Sequence, residues 1–189
     1  MKYKPVKVFI VLLITLATHW LAVTYLPQDF DEPVYTEAAM DYARALEQGN
    51  FNAVIDYPNN REHPALVKLT FGIAAYFNGS AHNYSETLQT GRVVSAIFGI
   101  LGTFILALID PFAGGLMAIH GLVVKYTSQA YLEAIPLAFM ILSVFAFLKT
   151  DKGKLNGWFW ISAFALGAVT AGKFAYTPVL VVVIAYLAF

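Results

Sequence analysis

The chain has 189 residues, of which 59% are hydrophobic and only 13% are charged, whereas a typical soluble domain carries about 25% charged residues. This composition indicates a polytopic membrane protein, and the chain has no basic stripe that would favour a nucleic-acid partner. There is no cysteine, which excludes disulfides, thiolate metal sites and thiol nucleophiles.

The first apolar run covers residues 6–25 and carries Lys2, Lys4 and Lys7 at its start. A run of about 20 apolar residues can cross a membrane. Because no small-residue cleavage site follows it, we interpret it as a signal anchor. Basic residues favour the cytoplasmic side, so the N-terminus is predicted to be cytoplasmic. The loop over 27–90 is then predicted to face the periplasm, the lumen or the extracellular space.

The loop over 27–90 is strongly acidic, since it holds nine of the chain's twelve acidic residues. Pro33 follows an acidic pair, which is typical of a helix N-terminus. Apolar residues then recur at helical spacing until Gly49, which predicts an amphipathic helix lying along the membrane surface. The segment 51–61 is predicted to be turn-rich. A second helix is predicted over 65–77 and is interpreted as interfacial or partly inserted.

Five further spans are predicted after the loop. They cover residues 91–109, 112–124, 130–148, 158–173 and 177–189. With six spans, the lysine-rich loop 149–157 faces the cytoplasm, as the positive-inside rule requires. The predicted fold class is therefore an all-α polytopic membrane protein, with residues 1–189 in a single membrane domain of about six transmembrane helices. Because the last apolar run has fewer than the roughly 20 residues of a full span, we expect the N-terminal part of a longer protein or, alternatively, a short final helix.

The acidic pair Asp31 and Glu32 is the first candidate site. One interpretation is a helix cap. The other is a carboxylate at the outer membrane boundary that acts as a general base toward an acceptor, or that binds a divalent cation. Glu62 and His63, just before Pro64, form the second candidate and could contact a polar substrate or a metal. A structural zinc site needs four ligands, so a metal remains an alternative and no cofactor is established.

Three basic residues and one further acid complete the candidates. Arg92 opens the second span, where it could pair with a phosphate or extend to the headgroup region. Lys68 and Lys173 are similar candidates. Glu133 lies one turn inside the predicted fourth span, where an acid is costly unless it faces a cavity or a partner. The alternative for Glu133 is an interfacial ion pair with Lys125.

These features form an ordered series along the chain. An acidic pair and a Tyr-rich amphipathic helix precede a helix that starts at Pro64. They are followed by GRVVSAIFGILG, YTSQAYLEAIPLAFM and LGAVTAGKFAY. In this order they resemble the membrane-embedded GT-C glycosyltransferases, above all the protein O-mannosyltransferases and the lipid A aminoarabinose transferases. The likeness covers roughly residues 7–176 and matches the N-terminal half of such enzymes. The chain departs from their pattern at EHPALVK, where the mannosyltransferases usually carry a second proline and a glycine.

The resemblance implies transfer of a sugar from a polyprenyl-phosphate donor on the outer face of the membrane. It implies Asp31 as the catalytic carboxylate, with Glu32 as its neighbour. It also implies that Glu62 and His63 line the same cavity and that Arg92 faces the lipid phosphate. If the anomeric carbon is inverted, one base suffices and no covalent intermediate forms. The expected partners are the lipid-linked sugar donor, membrane lipids and further membrane subunits.

Two other functions compete with the glycosyltransferase. The chain could be a non-catalytic subunit on the same scaffold that stabilises a larger membrane complex. It could also be a transporter, but the spans show no inverted repeat, and only Glu133 and His120 are polar candidates at depth. The sequence favours the glycosyltransferase and keeps the subunit as the alternative.

Overall fold

The computed structural model describes residues 4–59, 63–150, 155–176 and 178. Within these ranges the chain is helical and contains no β-strand, which confirms the predicted all-α class for the part described. Apart from Pro178, the predicted sixth span lies outside the described residues. Residues 151–154 of the predicted cytoplasmic loop and Glu62 also lie outside them.

Nine α-helices and one 3₁₀ turn lie in the described ranges. They are α1 (Lys4–Tyr25), α2 (Glu32–Glu47), α3 (Phe51–Ile55), α4 (Ala65–Asn78), α5 (Tyr84–Ile109), α6 (Pro111–Ile119), α7 (Gly121–Tyr126), α8 (Ala134–Leu148), α9 (Gly157–Gly172) and the 3₁₀ turn Phe174–Tyr176. By length and composition, α1 and α5 can cross a membrane. Helices α4, α8 and α9 are apolar but shorter; even the 16 residues of α9 extend only about 24 Å, less than the roughly 30 Å hydrocarbon core.

Helices α1, α5 and α6 pack together through small residues. Asp110 separates α5 from α6, and its side chain accepts hydrogen bonds from the backbone N–H groups of Phe112 and Ala113. Gly114 allows the two helices to approach, because a Cβ there would lie 2.6 Å from the Cβ of Ala107. The opposite face of α1 exposes large apolar side chains such as Trp20. An apolar face of this kind fits contact with lipid.

Helices α2 and α4 form the layer built from the acidic loop. The apolar face predicted for the first loop helix is confirmed, since Tyr35, Ala39 and Tyr42 are buried. This face packs against α4 and α5 of the same chain. Packing within the protein therefore accounts for its apolar residues, and contact with the membrane surface is not needed to explain them. Gly72 of α4 makes the approach possible, because a Cβ there would lie 2.5 Å from the Cβ of Tyr42.

Helices α8 and α9 complete the described part of the fold. A buried hydrogen bond joins the hydroxyls of Ser143 and Ser162 at 3.1 Å, and Gly172 lies against the ring of Pro136. Helix α8 also packs on α5. One buried apolar cluster joins α2, α4 and the beginning of α8, and the segment 127–133 that precedes α8 contributes to it.

The structure corrects several predicted boundaries. The single span expected over 112–124 is instead two short helices, because His120 is extended (φ −72°, ψ 109°) and its ring accepts a hydrogen bond from the backbone of Val123. The span expected from residue 91 begins at Tyr84, since the Asn83 side chain caps the helix there. The segment expected to be turn-rich begins with the short helix α3. The helix expected from residue 130 begins at residue 134.

Candidate functional site

A buried ion pair between Glu32 and Arg92 lies at the centre of the site. Glu32 is the first residue of α2 and is fully buried, while Arg92 on α5 is 6% exposed. Arg92 Nε donates to Glu32 Oε1 at 2.8 Å, and Nη2 donates to Oε2 at 2.6 Å. Two parallel hydrogen bonds of this kind are the strongest geometry that a guanidinium and a carboxylate adopt.

Arg92 also fixes the chain where it leaves α1. Its Nη1 donates to the carbonyl of Leu26 at 2.8 Å, and its Nη2 donates to the carbonyl of Pro27 at 3.1 Å. With the two bonds to Glu32, the guanidinium uses four of its five N–H donors. In this conformation Arg92 therefore has one N–H left for a further acceptor, and its predicted role in binding a lipid phosphate stays a prediction.

The carboxylate of Glu32 holds two backbone segments as well. Its Oε1 accepts a hydrogen bond from the backbone N–H of Ala130 at 2.8 Å, and its Oε2 accepts one from the N–H of Asp29 at 3.0 Å. The side chain of Gln129 donates to the carbonyl of Pro27 at 3.0 Å. These hydrogen bonds thus join four parts of the chain at one point: the residues that follow α1, the start of α2, helix α5, and the segment before α8.

Asp31 differs from its two acidic neighbours. It occupies the N-cap position of α2, but its side chain makes no capping hydrogen bond, and its backbone N–H donates to the hydroxyl of Tyr131 at 3.4 Å. Within the described residues its partly exposed carboxylate takes part in no hydrogen bond or ion pair. The helix-cap interpretation of Asp31 is therefore not supported by a contact, and this carboxylate remains available to a ligand or a proton.

Asp29 is held by a lysine from the other side of the site. Lys125 Nζ lies 2.6 Å from Asp29 Oδ2. The hydrogen bond from Lys125, and then that from the Phe30 N–H, lower the pKa of Asp29 below its ordinary value. Asp29 therefore stays ionised at neutral pH, with its charge balanced by Lys125.

Aromatic rings connect this acidic end to His63. The ring centroids of Tyr126 and Tyr131 are 5.3 Å apart, those of Tyr131 and Tyr35 are 6.0 Å apart, and those of Tyr35 and His63 are 6.1 Å apart. All three contacts are edge-to-face, the arrangement that aromatic quadrupoles favour. Tyr131, whose hydroxyl accepts the hydrogen bond from the Asp31 N–H, is thus connected through Tyr35 to His63.

His63 and Lys68 lie at a cleft of about 320 Å³ between α2, α3 and α4, which Tyr42, Tyr57 and Asp56 also line. Lys68 is only 2% exposed; its Nζ donates to the carbonyl of His63 at 3.0 Å and lies 6.0 Å from the centre of the Tyr57 ring. The lysine thus supports the backbone of His63. Glu62, predicted to act with His63, lies outside the described residues.

Glu133 lies apart from the acidic pair. It forms an ion pair with Lys173 at the end of α9, so the alternative pairing with Lys125 is wrong, because Lys125 is bound to Asp29 instead. The second carboxylate oxygen of Glu133 is buried and has no hydrogen-bond partner among the described residues. The Glu133–Lys173 contact fastens the start of α8 to the end of α9.

The described residues contain no group of three or more His, Asp or Glu side chains that could hold a metal ion. The metal alternative at His63 therefore lacks a ligand set in the part of the chain that the structure covers.

Sequence reasoning missed several contacts of the site. Lys125 and Gln129 lie between the predicted third and fourth spans, and Tyr131 lies inside the predicted fourth span. Gln129 and Tyr131 are nevertheless buried and contact the α1–α2 connection. The sequence signal that could have pointed to them is that these polar residues interrupt an otherwise apolar region. Nothing local to the sequence indicates that their partners lie about 100 residues earlier in the chain.

No family model, no curated protein and no solved structure matches this chain. The geometry therefore carries the functional argument.

Proposed function

We propose that this chain is a membrane glycosyltransferase, or the part of one that holds the acceptor base. It would transfer a sugar from a polyprenyl-phosphate donor to an acceptor at the face of the membrane where α1 ends. The observation that carries the proposal is the contrast between two adjacent acids. The Asp31 carboxylate has no hydrogen-bond or ion-pair partner among the described residues, whereas the Glu32 carboxylate is fully buried and hydrogen-bonded to Arg92. Two adjacent acids have opposite surroundings, which is typical of acids with different roles.

The proposed chemistry needs only a base at Asp31. The acceptor's hydroxyl or amine gives a proton to Asp31 as its oxygen or nitrogen attacks the anomeric carbon, and the bond from that carbon to the donor phosphate breaks. Asp29 and Glu32 are each paired with a cation, which leaves Asp31 as the carboxylate of the three without a partner among the described residues. Arg92 is a positioning residue in this proposal, because it fixes Glu32 and with it the start of α2.

In this proposal the membrane spans hold the site at the headgroup level, where the donor's phosphate and sugar lie. The proposed topology has the N-terminus in the cytoplasm, loop 27–90 outside and several spans beyond α1 and α5. The two long apolar helices and the shorter apolar ones support such an arrangement. The lysines at the start of α1 support the orientation.

The substitution Asp31→Asn tests the proposal, because it keeps the shape of the side chain and removes the basic oxygen. Transfer from a polyprenyl-phosphate sugar should fall by the ~10²–10⁴-fold typical of losing a general base, while the unfolding temperature stays unchanged. Glu37→Gln is the matched control, since Glu37 is an exposed acid on the same helix. Transfer by Asp31→Asn at the wild-type rate would show that Asp31 is not the base.

A non-catalytic subunit is the second candidate. The observation that favours it is that Glu32 and most N–H donors of Arg92 are used in holding the fold together. The test is a transfer assay of the wild-type protein in membranes that contain its natural partners. If the protein transfers none of the polyprenyl-phosphate sugars tested, the subunit is favoured over the enzyme.

A further inference from the structure

An apolar groove lies at the end of the molecule opposite to Asp31. It runs between the first turns of α1, the last turns of α5 and the last turn of α8, and its volume is about 540 Å³. This falls within the roughly 300–1,000 Å³ of small-molecule pockets. Its walls include Val8, Leu12, Phe104 and Phe145, and Lys4 and Lys149 lie at its edge.

Both lysine side chains are exposed, and each makes only weak contacts with the rest of the protein. Lys4 Nζ makes a long hydrogen bond of 3.4 Å to the carbonyl of Ile109, and Lys149 Nζ lies 5.6 Å from the centre of the Phe145 ring. Within the described residues neither lysine forms an ion pair with a carboxylate. Asp110 lies at the same end, but one of its carboxylate oxygens accepts hydrogen bonds from backbone N–H groups of α6.

We propose that this groove binds one anionic phospholipid from the leaflet at which α1 begins. An acyl chain lies along the apolar wall, and the headgroup phosphate lies between Lys4 and Lys149. The charge pattern decides the class of lipid: two cations beside an apolar surface complement a net negative headgroup, whereas a zwitterionic headgroup would bring its own cation close to them. Basic residues at the membrane surface attract anionic lipids in this way.

The site is separate from the proposed sugar-transfer site. Helix α1 has 22 residues and therefore spans about 33 Å from the groove to its other end near Asp31. A lipid here stabilises the packing of α1, α5 and α8, and it takes no part in the chemistry. The inference stands if the glycosyltransferase proposal fails, and its experiment does not measure transfer.

Trp158 supplies a reporter, because its ring centre lies 6.0 Å from that of Phe145 in the groove wall. The chain has three tryptophans, so Trp20→Phe with Trp160→Phe leaves Trp158 alone. The protein is placed in phosphatidylcholine vesicles that contain either brominated phosphatidylglycerol or brominated phosphatidylcholine. Bromine on the acyl chain quenches a tryptophan that it contacts. Stronger quenching by the glycerol lipid at equal mole fraction measures the preference for the anionic lipid.

The preference should fall about fivefold in K4Q and in K149Q and about 25-fold in the double variant, since each lysine near the surface contributes about 1 kcal/mol. K7Q is the matched control: it removes the same charge from the same end of α1, but Lys7 lies beside Asp110 at a different surface. L12F narrows the groove without adding a tryptophan and should reduce the preference with both lysines intact. The conservative double variant K4R/K149R should keep it.

Three results would overturn the proposal. The first is equal quenching of the wild type by the two brominated lipids. The second is a loss in K7Q as large as in K4Q, which would assign the effect to general surface charge. The third is an undiminished preference in L12F, which would place the lipid outside the groove.

Discussion

The carboxylate of Glu32 accepts two parallel hydrogen bonds from Arg92, 60 residues away in the sequence, at 2.8 and 2.6 Å. Both side chains are almost entirely buried. A buried pair of this kind contributes little relative to a well-packed apolar pair, but removal of one partner leaves a buried charge without compensation. The pair therefore fixes the position of α2 relative to α5. It thereby also fixes the position of Asp31, the N-cap residue of α2.

Removal of one partner of this pair should destabilise the protein strongly. We expect Arg92→Ala to lower the free energy of unfolding by about 3–5 kcal/mol, because the Glu32 carboxylate stays buried. Arg44→Ala is the matched control, since Arg44 pairs with Asp41 at 2.5 Å but both side chains are more than a third exposed, and it should cost less than about 1 kcal/mol. Denaturant unfolding of the purified protein in detergent measures both. Equal losses in the two variants would contradict the dominant role of the buried pair.

The contact between Asp29 and Lys125 should make stability depend on pH in the acid range. The pKa of Asp29 is lowered in the folded protein, so its stabilising contribution is present above the unfolded value of 3.8 and is lost as pH falls through the lower folded pKa. The difference in unfolding temperature between wild type and Asp29→Asn should therefore be present at neutral pH and disappear in acid. Lys125→Gln should abolish the same difference. A difference that persists below both pKa values would show that Asp29 acts through packing instead of charge.

Gly72 should not tolerate a side chain. A Cβ at this position would lie 2.5 Å from the Cβ of Tyr42 and 3.1 Å from the carbonyl of Ala39, so Gly72→Ala forces α2 and α4 apart and should cost about 1–3 kcal/mol. Gly167→Ala in α9 is the control, because a Cβ there meets nothing within 4 Å and the higher helix propensity of alanine should stabilise that helix by up to about 1 kcal/mol. Thermal unfolding followed by circular dichroism compares the two. Stabilisation by Gly72→Ala would mean that the two helices do not pack as described.

The orientation of the chain is tested by chemical labelling. The proposed topology places Asn59 outside and Thr150, directly after α8, in the cytoplasm. Because the chain has no cysteine, single cysteines at these two positions give a clean background. A membrane-impermeant thiol reagent added to intact cells should label the cysteine at 59 and leave the one at 150 unlabelled until the membrane is opened. Labelling of both from the same side would exclude the proposed topology and the outward-facing Asp31 with it.

Local signals in the amino-acid sequence were enough to locate most of the longer helices. Pro33, Gly49 and Pro64 stand at or next to helix ends as predicted, and the apolar period identified the buried face of α2. Apolar length identified α1 and most of α5. These features are local because helix formation depends on neighbours within one or two turns. The sequence also limited the candidate bases to a few acids at one end of α1.

Which of three neighbouring acids has an unpaired carboxylate depends on contacts made only in the folded chain. Asp29, Asp31 and Glu32 stand within four residues and look alike in the sequence, but Lys125 binds the first and Arg92 binds the third. These partners lie 60 residues or more away, and no local period specifies which distant cation will reach which carboxylate. Contacts between helices fix that choice, because they are set by packing and by the exclusion of water from the pair. Asp31 alone of the three keeps its carboxylate unpaired in the described part of the chain, and only the packed fold could single it out.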